Sequence, residues 1–267
     1  MAACARDGVE LYYEVRGRGE PLLLIAGLAS DSQSWLPVLA GLSQRFQVVA
    51  LDNRGSGRTK PPDAPLSIRA MAEDCAAVLS SLGLGPAHVL GHSMGGFIAQ
   101  DLAARHPGLV RRLVLAGTSS SSSPRNNALF QAWADSLGAG PAPESWWRGL
   151  FAWIFSPRFF ADPAAVRAAV RASVEYPYLQ SPAAFRGQVR AIAEFDGSAG
   201  LSRIQAQTMV LSGAEDLLFP PEAGAELARR IFGARASSIS GAGHAMHVER
   251  PEAFISMVSD FLLGRAS

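Results

Sequence analysis

Short, mostly apolar segments separated by helical patterns constrain the fold of this chain more than any other feature. Strands that are buried on both faces have continuous apolar segments of this kind, whereas strands with one wet face alternate. The alternation of the two patterns predicts an α/β protein with a mostly parallel central sheet and helices on both faces. The strand-like segments are 22–26, 48–51, 88–90, 113–116, 209–211 and 237–240, and the helical ones are 34–44, 67–82, 94–105, 221–232 and 251–263.

The N-terminal part of the chain has a different pattern. Residues 9–15 alternate as in a half-buried strand, and Arg16-Gly17-Arg18-Gly19 then leads into the apolar segment 22–26. Glycine-rich turns between two such segments are typical of hairpins. We therefore expect a hairpin that feeds a central strand.

The strand and helix alternation stops between residues 119 and 200. A serine run, Ser119 to Ser123, opens this stretch, and the rest of its pattern is helical without a convincing sheet strand. We expect a helical cap inserted into the sheet domain. Residues 1–118 and 201–267 would then form the core domain that contains the sheet, and residues 119–200 the cap.

The predicted cap is rich in aromatic side chains. Most of them should pack the cap onto the sheet, with roughly two structural aromatics for each one that walls an apolar pocket. Trp133 and Trp153 in the cap, with Phe219 in the core, are our candidates for substrate binding. The aromatic residues of the cap include Phe130, Trp133, Trp146, Trp147, Phe151, Trp153, Phe155, Phe159, Phe160, Tyr176 and Tyr178.

Charge and cysteine content exclude several classes of function. The formal net charge is +1, from 24 Lys and Arg against 23 Asp and Glu, so no strong field attracts nucleic acid or an anionic membrane. The expected partner is a small-molecule substrate. Cys4 and Cys75 are the only cysteines, which argues against a disulfide framework. Charges near the N-terminus argue against a signal peptide, so we expect a soluble, cytoplasmic protein and leave a homo-oligomer open.

A candidate nucleophile stands in Gly91-His92-Ser93-Met94-Gly95, between a predicted strand and a predicted helix. A serine at such a tight turn needs small residues two positions before and after it, and Gly91 and Gly95 meet that need. The turn also places Ser93 at a helix N-terminus, which favours developing negative charge. We predict that Ser93 is a nucleophile.

A carboxylate and a histidine follow later in the chain, each just after a predicted strand. Asp216 is the preferred acid, with the adjacent Glu215 as its rival, because a shorter side chain is easier to lock against a histidine. His244, in a glycine-rich loop, is the preferred base, and His247 is its competitor. A serine hydroxyl needs such a base, and the base needs a carboxylate to fix its tautomer.

The remaining histidines have simpler interpretations. His92 is expected to pack under the serine turn, and His88 and His106 to lie at a strand end and a helix end. Two backbone N–H groups should stabilise an oxyanion: that of Met94, which follows the nucleophile, and that of Leu28, which Gly27 would let face the site.

At these motifs the sequence resembles the α/β-hydrolase superfamily over nearly its whole length, most closely the compact, capped bacterial esterase, enol-lactonase and C–C hydrolase group. Many relatives have His-Gly where this chain has Ala26-Gly27, which keeps the backbone donor but lacks the hydrogen bonds of a histidine. A serine nucleophile disfavours the dehalogenase and epoxide-hydrolase branches. The segments that carry the resemblance are 26–28, 52–58, the Ser93 turn, 213–216, and 243–244 followed by 249–252.

The resemblance implies hydrolysis of a small carboxylic ester or lactone through an acyl-enzyme on Ser93, with no metal or organic cofactor. Deacylation would use water activated by His244. The same three side chains could instead cleave a carbon–carbon bond of a vinylogous diketone, or transfer an acyl group to an acceptor other than water. A non-catalytic ligand receptor is less favoured, since such proteins usually lack one of the three residues. In this family 52–58 is a structural loop, so Asp52 and Arg54 receive no catalytic role.

Overall fold

The computed structural model describes residues 2–61 and 64–265. Within these residues eight strands form one sheet, in which the two pairings at one edge are antiparallel and the other five are parallel. In chain order the strands are β1 Ala2–Arg6, β2 Val9–Arg16, β3 Glu20–Ile25, β4 Phe46–Leu51, β5 Ala87–His92, β6 Val110–Ala116, β7 Gln207–Gly213 and β8 Arg235–Ile239.

The helices surround this sheet, and three short 3-10 turns accompany them, at Ser32–Trp35, Pro107–Leu109 and Leu201–Arg203. No helix among the described residues is both long and apolar enough to cross a membrane. The helices are α1 Leu36–Ser43, α2 Ile68–Ser81, α3 Met94–Arg105, α4 Pro124–Ser136, α5 Glu144–Ile154, α6 Pro157–Phe160, α7 Pro163–Val174, α8 Pro182–Glu194, α9 Pro221–Arg229, α10 Met246–Glu249 and α11 Pro251–Leu262.

The sheet has an apolar core on each face because successive strand residues point to opposite sides. In β3, Leu23 and Ile25 join the core beneath α2 and α3, whereas Leu22 and Leu24 join the core beneath α1 and α11. All four side chains are fully buried. The continuous apolar segments of the sequence therefore correspond to strands covered on both faces, and the predicted α/β architecture is confirmed.

The predicted hairpin between residues 9–15 and 22–26 is wrong. The sheet order is β1-β2-β4-β3-β5-β6-β7-β8, so β4 separates β2 from β3. Two parallel strands that are joined by a helix are usually neighbours in the sheet. Because α1 connects β3 to β4, β4 pairs in parallel with β3 and occupies the position next to it. β2 instead pairs antiparallel with β4 and with β1, a strand that the sequence pattern did not predict.

Five helices, α4 to α8, lie in sequence between the neighbouring strands β6 and β7. We call residues 119–200 the helical insertion. Its two ends meet, since the Gly197 N–H donates to the Ser120 carbonyl over 2.9 Å and Ser121 forms a β-bridge with Asp196. The serine run begins α4, where the Ser123 hydroxyl caps the helix by accepting from the Asn126 N–H. That this insertion acts as a separate cap stays a prediction.

Candidate active site

Ser93 stands between the end of β5 and the first residue of α3. Its φ and ψ of 56° and −119° lie outside the regions that ordinary residues occupy. The backbone around it holds this conformation: the Ser93 N–H donates to the Ala116 carbonyl of β6 over 2.9 Å, and the Gly96 N–H donates to the Ser93 carbonyl over 2.8 Å. Such strain is typical of functional sites.

The two glycines that flank Ser93 are required by close contact between chain segments. A Cβ at Gly91 would collide with the backbone of Gly95, and a Cβ at Gly95 would collide with the Ile25 carbonyl of β3 and lie 2.8 Å from the Ala26 carbonyl oxygen. The predicted steric need is thus met in the structure. The turn can hold a serine at the C-terminal end of β5 only because both positions lack a side chain.

Asp216 and His244 are brought together after β7 and β8. Nδ1 of His244 lies 2.8 Å from Oδ2 of Asp216, and Oδ1 of Asp216 accepts from the backbone N–H groups of Leu218 and Phe219 over 2.8 and 2.9 Å. The Asp216 side chain is fully buried. A carboxylate held in this way makes Nδ1 the protonated nitrogen of His244 and leaves Nε2 free to accept a proton.

Ser93 and His244 line the same cavity, but among the described residues no hydrogen bond joins the Ser93 hydroxyl to the His244 ring. Glu215, the rival acid, is exposed to solvent and is not paired with His244. Of the two adjacent carboxylates, the structure therefore places Asp216, and not Glu215, against His244.

His92 and His247 are buried beside His244, with ring centroids 4.6 Å (His92 to His244) and 4.8 Å (His92 to His247) apart. Burial lowers the pKa of His92 well below its usual value and that of His247 to about 3. Nε2 of His92 lies 2.9 Å from the His244 carbonyl, and because a carbonyl only accepts, this nitrogen carries a hydrogen. Both rings are neutral packing groups, and His92 holds the backbone of His244.

The segment after β3 lies directly against the nucleophile. A Cβ at Gly27 would be 3.1 Å from Cβ of Ser93, so the backbone at Gly27 lies against the nucleophile. The N–H of Leu28 belongs to the next residue in the chain. Within the described part of the chain, neither this N–H nor that of Met94 donates to a protein acceptor. Two free donors at this position fit the predicted oxyanion hole geometry.

Support for this segment comes from residues 52–58, for which only a structural role was expected. Nδ2 of Asn53 donates to the Ala26 carbonyl over 2.9 Å, and Oδ1 of Asp52 accepts from the Ser32 N–H over 2.9 Å. These bonds hold the segment at both ends. No local pattern in the sequence indicates these two contacts.

A cavity of about 520 Å³ lies between the core and the helical insertion, with Ser93 and His244 in its lining. Of the three substrate-binding candidates, Trp133 and Phe219 line the cavity, and the Phe219 ring stacks 5.7 Å from that of His244. Trp153 is not part of the lining. Its ring packs instead against the Arg125 guanidinium, which lies 4.8 Å from the ring centroid.

The aromatic residues of the insertion face the cavity more often than we expected. Their spacing shows that a helix has an apolar face, but not whether that face meets protein or a void. The expected excess of structural over pocket-facing rings is therefore wrong. The aromatic residues of the insertion in the lining are Phe130, Trp133, Trp146, Trp147, Phe151, Phe155, Tyr176, Tyr178 and Phe185.

One polar pair in the lining was not predicted from the sequence. The Tyr176 hydroxyl of the insertion donates to Oδ2 of Asp31 over 2.6 Å, and Oδ1 of Asp31 accepts from the Gln33 N–H over 2.9 Å. Burial raises the pKa of Asp31 above its usual value, and burial beside Asp31 raises the pKa of Tyr176. The only local signal was that Asp31 could cap the turn that follows it.

Comparisons with known proteins agree with this fold and site. The family described as alpha/beta hydrolase fold matches residues 20–251. A protein of Azorhizobium caulinodans with the provisional name carbamate hydrolase RutD is 31% identical over 94% of this chain and 94% of its own length. The enol-lactonase of Burkholderia xenovorans LB400 superposes with a TM-score of 0.87 at 27% identity, covering 98% of this chain and 100% of that one.

A thermophilic esterase of Thermogutta terrifontis is similar to the same degree, with a TM-score of 0.86 at 26% identity and 98% of each chain covered. The chain belongs to the α/β-hydrolase family. Its relatives include bacterial enzymes, and the resemblance predicted from the sequence is confirmed.

Proposed function

We propose that this protein is a serine hydrolase that cleaves a small carboxylic ester or lactone with an apolar portion. One observation carries the proposal: a buried Asp216 holds Nδ1 of His244, in a cavity that also contains the strained Ser93. Family membership and the names of the relatives support hydrolysis in general. The geometry of the three side chains supports an acyl-enzyme route.

The proposed mechanism uses the hydrogen bond between Asp216 and His244. Nε2 of His244 takes the proton of the Ser93 hydroxyl as the oxygen attacks the acyl carbon, and Asp216 stabilises the imidazolium that forms. The N–H groups of Leu28 and Met94 stabilise the oxyanion. His244 then protonates the leaving alcohol, and the acyl group remains on Ser93. Water, deprotonated by His244, attacks this ester and releases the acid, after which Ser93 regains its proton.

The Ser93 to His244 hydrogen bond is expected to form when substrate binds. Such bonds are often long in the free enzyme and tighten in the complex with substrate. The cavity supports an apolar portion of the substrate, since burial of apolar surface contributes about 25 cal/mol per Å². The carbamate, lactone and ester named for the relatives all contain an acyl carbon that this route can attack.

A substrate panel tests the proposal. We expect turnover of p-nitrophenyl esters or lactones, covalent labelling of Ser93 by a fluorophosphonate, and loss of both in Ser93→Ala. Ser80→Ala, at an exposed serine in α2, is the matched control and should behave as the wild type. A folded protein that neither reacts with the probe nor turns over any ester or lactone would contradict the proposal and support a receptor. Turnover of a dienoate diketone alone would support carbon–carbon cleavage instead.

A further inference from the structure

We infer that the cavity selects uncharged esters or lactones and rejects substrates that carry a carboxylate, with Asp31 as the side chain that sets this charge selection. The inference rests on the proposed function and narrows it to a substrate class. A hydroxyl at the far end of the substrate would be accepted, because Asp31 and Tyr176 offer hydrogen-bond partners there.

The composition of the lining is the first argument. Among the described residues that line the cavity there is no lysine and no arginine, and Asp31 is the one carboxylate. His92 and His247 also line it, but burial keeps the pKa of both rings low, so neither supplies a positive charge. His244 becomes positively charged during the proposed catalytic cycle, but Asp216 is already its partner.

The Arg58 guanidinium contacts a ring of the lining, but its charge is already compensated. It packs 5.0 Å from the ring centroid of Tyr178, which lines the cavity. Its Nη1 lies 3.1 Å from Glu14 and its Nε 3.2 Å from Asp52. Its Nη2 donates to the Ser32 hydroxyl over 2.8 Å. Two carboxylates on one guanidinium leave little attraction for a third.

Asp31 and Ser93 line the same cavity. Gly27 contacts Ser93, and Asp31 follows four residues later, so the Cα atoms of Gly27 and Asp31 are separated by at most about 14 Å. One oxygen of Asp31 accepts from the Gln33 N–H and the other from the Tyr176 hydroxyl. In neither protonation state can this carboxyl group form an ion pair with a substrate carboxylate. When it is ionised it repels one.

A carboxylate that enters this cavity loses hydration and finds no opposite charge. Removing an unpaired charge from water is strongly unfavourable, whereas burial of a methyl end is favourable and a hydroxyl end incurs little cost when it is hydrogen-bonded to Asp31 or Tyr176. We therefore expect kcat/KM for an ester with a terminal carboxylate to be roughly 100-fold or more below that of the neutral ester of equal length.

Esters that differ only at the far end test this inference directly. Hydrolysis of ethyl hexanoate, ethyl 6-hydroxyhexanoate and monoethyl adipate is followed by titration of the released acid, and monoethyl succinate and suberate vary the length. We expect the first two to react at similar rates and all three monoesters of diacids to react slowly. A monoester within tenfold of its neutral counterpart would overturn the inference.

Binding to Ser93→Ala separates this inference from the proposed chemistry. Trp133, Trp146 and Trp147 line the cavity, so their fluorescence reports occupancy without turnover. Binding of ethyl hexanoate with much weaker binding of monoethyl adipate supports charge selection, even if the wild type hydrolyses neither. Equal binding of the two contradicts it, even if the wild type is an active esterase.

Asp31→Asn identifies the selecting side chain. Asparagine removes the charge but still caps the turn through the Gln33 N–H, and Asp31→Ser is a second variant that keeps a cap. We expect either variant to narrow the ratio of kcat/KM between ethyl hexanoate and monoethyl adipate by about tenfold. Asp135→Asn, which removes an exposed carboxylate of the helical insertion outside the cavity lining, is the matched control and should not narrow this ratio. An unchanged ratio in both Asp31 variants would show that Asp31 is not the selector.

Discussion

At the scale of single residues, the roles of the histidines are decided by their partners. His244 faces the buried carboxylate of Asp216, His92 faces a backbone carbonyl, and His247 packs between the rings of Trp35 and His92. A base for serine needs one nitrogen held by a carboxylate and the other free. His244 meets that condition, and His247, its rival in the sequence, has no carboxylate against it among the described residues.

The first prediction follows from this difference. His244→Ala and Asp216→Asn should each lower kcat by about 10⁴-fold or more, because the tautomer and the proton acceptor are lost. His247→Gln and Glu215→Gln should stay within about tenfold of the wild type. Steady-state kinetics on the most reactive ester of the panel measures all four. A larger loss from His247→Gln than from His244→Ala would refute our choice of base.

At the scale of elements, the turn between β5 and α3 depends on backbone contact. The helix begins at Met94, directly after the strained Ser93, and β3 passes so close that its carbonyl at Ile25 occupies the space a Cβ at Gly95 would need. The turn therefore depends on close packing of β3, β5 and α3. A larger residue at Gly95 would push β3 and α3 apart.

A pair of glycine substitutions gives the second prediction. Gly95→Ala should destabilise the protein by several kcal/mol or lower kcat/KM by about 100-fold, because the clash is with backbone that cannot rotate away. Gly108→Ala is the control, since nothing lies within 4 Å of a Cβ there. Urea unfolding and ester kinetics should show a wild-type response for Gly108→Ala. The same response for Gly95→Ala would mean that the turn is not sterically constrained.

At the scale of the whole molecule, the helical insertion and the core are joined by buried polar bonds. Nε2 of Gln188 donates to the Arg54 carbonyl over 2.8 Å, Nδ2 of Asn126 donates to the Leu218 carbonyl over 2.7 Å, and the Ser156 hydroxyl lies 2.6 Å from Glu249. The insertion thus reaches the core on several sides of the cavity. Its position determines the shape of the cavity.

The buried histidines predict how global stability depends on pH. In the folded protein the pKa of His247 is about 3 and that of His92 is also lowered, whereas a histidine in the unfolded chain titrates near 6.5. Between about pH 3 and 6.5 the unfolded state binds more protons, so stability rises with pH in this window. The stabilising contribution is complete above about pH 6.5 and is lost as the pH falls.

Each of these two histidines should contribute up to about 1.4 kcal/mol per pH unit. We expect His247→Gln to reduce the change in unfolding free energy between pH 6 and pH 5 by about that amount, measured by urea unfolding. The raised pKa of Asp31 acts in the opposite direction, but it is present in both proteins and cancels in the difference. Equal slopes for the two proteins would show that His247 is protonated in the folded state.

Several features of this protein follow from the sequence by itself. The continuous apolar segments determined a sheet covered on both faces, and the glycines around Ser93 determined a tight turn from strand to helix. Asp216 and His244 were found because each follows a strand, and the carboxyl ends of parallel strands lie at one edge of a sheet. These are local patterns, so they can be recognised without knowledge of distant contacts.

Other features were decided only by the tertiary structure. The position of β4 between β2 and β3, and the direction in which each ring of the insertion faces, depend on packing between separate elements. Asp31 and Tyr176 form one hydrogen bond although 145 positions separate them. A contact of this kind leaves no periodic or spacing signal in the chain, because either residue alone looks like an ordinary cap or a surface ring. The local pattern therefore predicts the candidate catalytic residues, and long-range packing determines which side chains line the cavity beside them.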